Sequence, residues 1–242
     1  PAPPPAARAP PRRAAETAAD ALAAFGERLG PYPYRELDLV QAPLDGALAV
    51  SWAGLIFLDA DSLLDWYASE DPGAFDTVIA HEVAHLWWGA SVGSDSNASP
   101  FVNEALATVA SVGYLGWAGD PALPDAVETW IAAPARQLLQ RGDAVVDLPA
   151  GEGDPSVRTW AVYAKGALGF LAIREAIGDE AFWRALRDLA AERRFGIVQP
   201  DDVLAAFERA SGEDLGPLWD EWFRETRLSD AAIEAATAGL GG

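Results

Sequence analysis

The sequence predicts an α+β domain in which a small, mainly antiparallel sheet on the amino-terminal side packs against a larger helical lobe. Two patterns and one bound lead there. Between Tyr34 and Leu58, short runs of Leu, Val, Ile and aromatic residues are punctuated by Pro43 and Asp45-Gly46, as strands are by turns. From Asp59 onward the apolar residues recur at helical spacing instead. The 242 residues, 50% hydrophobic and 22% charged, suffice for one substantial core.

Taken in order, residues 1–12 hold prolines at 1, 3, 4, 5, 10 and 11 among alanines, which predicts an extended linker. The domain is expected over 13–228, opening with a helix from about Arg13 to Leu29. Its inward stripe is Ala18, Leu22, Phe25 and Leu29, and Gly30-Pro31 stops it. Strands follow at Tyr34–Gln41, Ala47–Ser51 and Gly54–Leu58. Asp61 and Ser62 are candidate caps for a short helix, and Asp71-Pro72 opens the next, which runs through Phe75, Val78 and Ile79 and ends near Gly89. After a loop at Ser94–Pro100 comes a nearly unbroken apolar segment, Phe101–Trp117, a helix buried on all sides. A carboxylate inside it, Glu104, therefore requires a cation or a metal as partner. Further helices are predicted at 122–141, 157–177, 179–194, 200–210 and 215–226. The polar stretch Gly142–Pro155 is long enough to overhang a cleft, and 229–242 reads as a tail frayed over its small terminal residues.

Charge narrows the partners. With 37 acidic against 17 basic side chains the net charge is −20, the wrong sign for nucleic acid or an anionic membrane surface. No apolar run reaches the ~20 residues of a membrane span, so a soluble domain without direct membrane insertion is expected. The absence of cysteine excludes disulfides and thiolate metal sites and leaves the compartment open, an extracytoplasmic or tethered location included. The absence of methionine gives the expectation of a processed or excised part of a longer chain, with additional domains before the linker.

The chemistry concentrates at residues 81–89, His-Glu-Val-Ala-His-Leu-Trp-Trp-Gly. His81 and His85 are the only histidines, and a four-residue spacing sets both imidazoles on one helix face. Glu82 is offset around that helix, a position suited to a general base acting on a metal-bound water. Two histidines and one carboxylate form a recurring catalytic zinc set, and Glu104 stands far enough along the chain for a second helix to return beside the first. The competing reading, histidines on a solvated face with Glu104 paired to an arginine, needs two unrelated coincidences. Trp87 and Trp88 read as packing that holds the ligands, Asn103 as a cap or a neighbour of the site, and Lys165 as a solvated charge without a role.

His81–Gly89 followed by Asn103-Glu104-Ala105 resembles the M1 family of zinc metallopeptidases, the gluzincins that include aminopeptidase N and leukotriene A4 hydrolase. Tyr32-Pro33-Tyr34, Gly54-Leu55-Ile56 and Tyr163-Ala164-Lys165-Gly166 are similar to further motifs of that family. The resemblance extends from about residue 13 to 227 and implies a thermolysin-like catalytic domain. It implies one zinc ion held by His81, His85 and Glu104, with Glu82 as general base and Tyr163 as hydrogen-bond donor to the developing oxyanion. Peptides are the implied substrates, bound along Val50, Ser51, Trp52, Ala53 and Gly54.

Here the chain departs from the pattern of the family it resembles. Where M1 aminopeptidases carry Gly-Ala-Met-Glu-Asn, with a glutamate for the substrate's free amino terminus, this sequence reads Leu48-Ala49-Val50-Ser51-Trp52, with Ser51 at the glutamate position. A hydroxyl is no counter-ion for an ammonium. The expectation is an aminopeptidase-like zinc peptidase with altered amino-terminus recognition. The alternative is an M1-like zinc module with broad endopeptidase activity or no significant turnover. Epoxide opening of the leukotriene hydrolase kind would need a lipid tunnel, of which the sequence gives no sign.

Overall fold

The computed structural model describes residues 9–68 and 72–240. Helix α1 (Ala9–Leu29) turns the predicted stripe inward: Ala18, Phe25 and Leu29 are buried and Leu22 half-buried, with Ala14 and Ala21 also buried. It starts inside the stretch assigned to a linker over 1–12. Pro10 and Pro11 fall in its first turn, where a missing N–H leaves no hydrogen bond unmade. Residues 1–8 of that linker lie outside the described residues.

The sheet is smaller and more mixed than predicted. Strands β1 (Asp38–Ala42), β2 (Ala49–Trp52) and β3 (Leu55–Asp59) lie in the order β1-β3-β2. β2 and β3 form an antiparallel hairpin with Ser51 opposite Ile56, turned at Gly54, whose φ of +74° suits glycine. β1 joins the far side of β3 and pairs with it in parallel. The expected mainly antiparallel sheet is thus corrected: two reversals of the chain make strands one and three run the same way when they are neighbours. That order leaves β2 as an edge strand. A second, parallel pair, β4 (Val92–Ser94) with β5 (Gly196–Val198), is too short to show a period in the sequence.

Helix α2 (Ala60–Ala68) is capped by Asp59, two positions before the earlier of the two expected caps, Asp61 and Ser62. The carboxylate of Asp59 accepts hydrogen bonds from the Ser62 N–H (2.9 Å) and hydroxyl (2.7 Å), and also from the Leu44 N–H (2.9 Å). These bonds hold its pKa down, to about 2. Helix α3 (Pro72–Ala84) carries the histidine motif and packs between α1 and α4 (Phe101–Ala118). Arg13 and Thr17 of α1 pin it through Asp76, with contacts of 2.6 Å from the Arg13 guanidinium and 2.7 Å from the Thr17 hydroxyl. The chain then leaves the helix in tight turns, where Leu86, Trp87 and Trp88 are buried. The Trp87 indole N–H donates to the Gly30 carbonyl at 3.0 Å.

The remaining helices follow the predicted segments, with π-helical turns that periodicity did not reveal. α5 (Leu123–Val127) runs into α6 (Ala133–Gln140) through a π-helical turn at Glu128–Ala132, and α7 (Pro155–Thr159) into α8 (Gly166–Ile177) through another at Trp160–Lys165. α9 (Asp179–Glu192), α10 (Pro200–Ser211) and α11 (Gly216–Trp219), extended by a π-helical turn at Asp220–Arg224, complete the lobe. The expected tail at 229–242 is instead a helix, α12 (Asp230–Ala238). Ser229 caps it, and it packs on α8 with Ile233 and Ala236 buried. No helix among the described residues is long and apolar enough to cross a membrane.

The loop between α6 and α7 does not overhang the cleft. The N–H groups of Val146 and Asp147 both donate to the Phe223 carbonyl, at 3.0 and 2.9 Å. At its start Asp143, in the left-handed region at φ 59°, meets Lys165. That lysine is buried, not solvated: its Nζ donates to the Asp143 carboxylate (2.9 and 3.1 Å), the Ala144 carbonyl (2.8 Å) and the Glu225 carbonyl (2.7 Å). Burial pulls the ammonium's pKa down and Asp143 works against that. Lys165→Met would leave the Asp143 carboxylate buried without its counter-ion, a loss expected at about 3–5 kcal/mol in urea unfolding. A loss below about 1 kcal/mol would show that the pair does not anchor this loop.

Candidate metal centre

Helix α3, which ends at Ala84 and not near Gly89 as expected, the turn after it that carries His85, and α4 bring three donors to one point. The Nε2 atoms of His81 and His85 are 3.0 Å apart, and one oxygen of Glu104 lies 3.5 Å from the first and 3.2 Å from the second. A tetrahedral zinc with bonds of about 2.0–2.1 Å holds its ligand atoms about 3.3 Å from one another, so the triangle has the size of one face of such a shell. The Nδ1 of His85 lies 3.0 Å from the Trp88 carbonyl, a hydrogen bond that leaves Nε2 as the ligating nitrogen. Turning the chain back at Trp88 therefore orients the ligand as well as packing the core.

Electrostatics agrees with a cation at this point. Burial lowers the His85 pKa, but the hydrogen bond and charge of Glu104, the charge of Glu82 and the Trp88 carbonyl outweigh it, and the value rises to about 9. Burial raises that of Glu104, yet the two imidazoles bring it well below the usual carboxylate range. Each group draws positive charge into the cluster. Among the described residues, His81, His85 and Glu104 form the one group of such donors.

Glu82 is buried beside this cluster, and its carboxylate accepts a short hydrogen bond from the Ser51 hydroxyl, which also reaches the Glu82 carbonyl at 2.9 Å. Tyr163 sits on the opposite wall, in the π-helical turn before α8, with its ring stacked on His81 at a centroid distance of 6.1 Å. Burial, then the charge and hydrogen bond of Glu104 and the charge of Glu82, push the phenol far up, so it stays a proton donor. Close approach of the two helices explains its reach. A Cβ at Gly166 would come within 2.9 Å of the Ala105 Cβ, so only glycine permits this spacing of α8 against α4.

A cleft of about 960 Å³ opens over these groups. Of the residues expected to bind substrate, Val50, Ser51, Trp52 and Ala53 line it, whereas Gly54 lies outside the lining and serves the hairpin turn. Asn103 also lines it, its amide donating to the Ser96 hydroxyl at 3.4 Å. Sequence reasoning missed Trp130 and Trp160, which the two π-helical turns carry to the same cleft. Their only signal was two isolated tryptophans in otherwise ordinary helical segments.

The geometry defines a class first: a mixed α+β domain with a helix-borne His-x-x-x-His pair closed by a carboxylate from the following helix. The chain belongs to peptidase family M1, whose domain model matches residues 13–222. Among its relatives are Aminopeptidase 2 of Candida albicans, 26% identical over 91% of this chain and 25% of its own length, and Aminopeptidase N of Streptomyces lividans, 26% identical over 81% of this chain and 24% of its own. The chain thus spans about a quarter of the length of these relatives. Its fold is similar to that of the M1 zinc metallopeptidase from Deinococcus radiodurans, with a TM-score of 0.66, 22% identity and coverage of 88% of this chain and 44% of that one. A variant of that metallopeptidase bound to a Tyr-Ser-Ala substrate is also similar, with a TM-score of 0.67 and 21% identity over 87% of this chain and 44% of the other.

Proposed function

We propose that this domain hydrolyses peptide bonds as a zinc-dependent M1 peptidase, aminopeptidase-like in its chemistry but with altered recognition of the substrate's amino terminus at Ser51. The observation that carries this reading is the donor triangle of His81, His85 and Glu104, with edges of 3.0–3.5 Å, beside a buried Glu82. The aminopeptidase relatives and the peptide substrate of the Deinococcus enzyme support the same class of substrate.

The three donors would hold one zinc ion. When bound, zinc supplies Lewis acidity that acidifies a water and polarises the scissile carbonyl. This chain's residues do the rest. The free edge of β2 offers backbone N–H and C=O groups to an extended peptide, which binds as an added strand. Glu82 takes the proton of the attacking water and hands it to the leaving amine, and its burial keeps that proton from solvent. Tyr163, held neutral, donates its phenolic hydrogen to the oxygen that gains charge as the carbonyl becomes tetrahedral. Tyr163→Phe is expected to lower kcat about 10²-fold with little change in KM, measured by steady-state kinetics. An unchanged kcat would remove Tyr163 from the reaction.

Zinc content by elemental analysis, followed by cleavage of a mixed peptide library, tests the whole reading. Stoichiometric zinc with no cleavage would favour a zinc-retaining module without turnover. The presence of both Glu82 and Tyr163 in the cleft argues against that alternative.

A further inference from the structure

We propose that the cleft takes peptide segments that bring no charged amino terminus to it, such as N-acylated ends or interior stretches of a longer chain. The proposal rests on the peptidase reading above and concerns which substrates that site accepts.

Charge on the cleft wall is the first ground. Although the chain as a whole carries a net charge of −20, the described residues lining the cleft include no Asp, Lys or Arg, and their only carboxylates are Glu82 and Glu104. Both are committed. Glu104 faces the two imidazoles, and Glu82 accepts the short hydrogen bond from Ser51. An ammonium drawn into the cleft would lose hydration and meet only these two carboxylates, one facing the imidazoles and the other at the reacting centre, with no third acid set apart to hold it. Asp59, at the end of the neighbouring strand β3, caps α2 through Ser62, and neither it nor Asp45 is part of the lining.

Ser51 is the second ground. Its hydroxyl points from the edge strand at the Glu82 carboxylate and backbone carbonyl, so it serves to position the base. The side chain that stands where the strand passes the reacting centre thus donates a hydrogen bond inward and presents no negative charge to a substrate.

The third ground is the shape of the lining, which continues on both sides of the histidines: Thr77 and Val78 one turn before His81, Gly89 and Ala90 one turn after His85. Together with Trp130 and Trp160 on the far wall, these surfaces are neutral and largely apolar, suited to uncharged peptide on either side of the cut bond.

The test compares kcat/KM of the wild-type zinc-loaded protein for matched pentapeptides with free and acetylated amino termini. Alongside it, the fluorescence of the cleft tryptophans is titrated with phenylalanine amide and acetyl-phenylalanine amide. The acetylated member of each pair is expected to be cleaved at least as fast and bound at least as tightly. A preference for the free amine of more than threefold in either measurement overturns the proposal. Ser51→Glu, which places a carboxylate on the same strand, is expected to move the kcat/KM ratio tenfold or more toward the free amine. Should that variant not fold, the wild-type ratios decide alone. If neither peptide is cleaved, the peptidase reading fails, and the fluorescence titration still decides the preference.

Discussion

Glu82→Gln is expected to lower kcat by about 10³- to 10⁴-fold while zinc content is unchanged. Removing a positioned general base costs typically 10²–10⁴-fold, and a buried base with no neighbouring substitute belongs at the upper end. The structure offers no such substitute: the other carboxylate of the cleft, Glu104, is engaged with His81 and His85, and those two are the only histidines in the chain. Glutamine matches the shape of glutamate and can still accept the Ser51 hydrogen bond through its carbonyl, so packing around α3 should be retained. Retained zinc with lost turnover would assign Glu82 to proton transfer. Loss of less than tenfold, with zinc in place, would mean that the water is deprotonated by some other group.

Much of this site was legible in the sequence because it depends on local spacing. His81 and His85 had to share a face of any helix through them, and Glu104 stood out because an apolar helix cannot bury a carboxylate unpaired. The fold class was legible for the same reason, since helical and strand periods are local. What periodicity could not supply were features set by distant partners. Lys165 looked like a surface charge because Asp143 and the Glu225 carbonyl, its partners, come from other parts of the chain. The parallel pairing of β1 with β3 depends on which edge of the hairpin β1 joins, which no residue pattern within β1 encodes. The last helix was hidden by its composition: Ala232–Ala238 contains small residues that suit a packed helix and a frayed end alike, and the packing of Ile233 decides between them. The aromatic walls of the cleft, Trp130 and Trp160, depend on π-helical turns that shift the face a side chain points to.

Removing one ligand is expected to have an equally large effect, and its dependence on pH separates the ligand's charge from its packing. His85→Ala should weaken zinc binding by more than about 100-fold, the upper range for loss of an outer partner of a metal ligand. In the metal-free protein the His85 pKa is raised to about 9, so near pH 7 its ring carries a proton that zinc must displace. Calorimetric zinc titrations in buffers of different ionisation enthalpy should therefore show about one proton released from His85 at pH 7 and none well above pH 9. The same shift fixes the sign of the stability change. A pKa raised in the folded state stabilises the metal-free protein fully below the unfolded value of about 6.5, and that contribution is lost as pH rises through about 9. Glu104, whose pKa is depressed, contributes in the opposite sense, above the unfolded carboxylate value of about 4.3, and loses its effect only as acid protonates it. The Tm of the metal-free protein should thus fall between pH 7 and 9, and zinc, which replaces the proton as counter-charge to Glu104, should abolish that fall. A metal-free Tm that is flat across this window, or a zinc titration that releases no proton at pH 7, would mean that the three donors are not coupled as their 3.0–3.5 Å spacing requires.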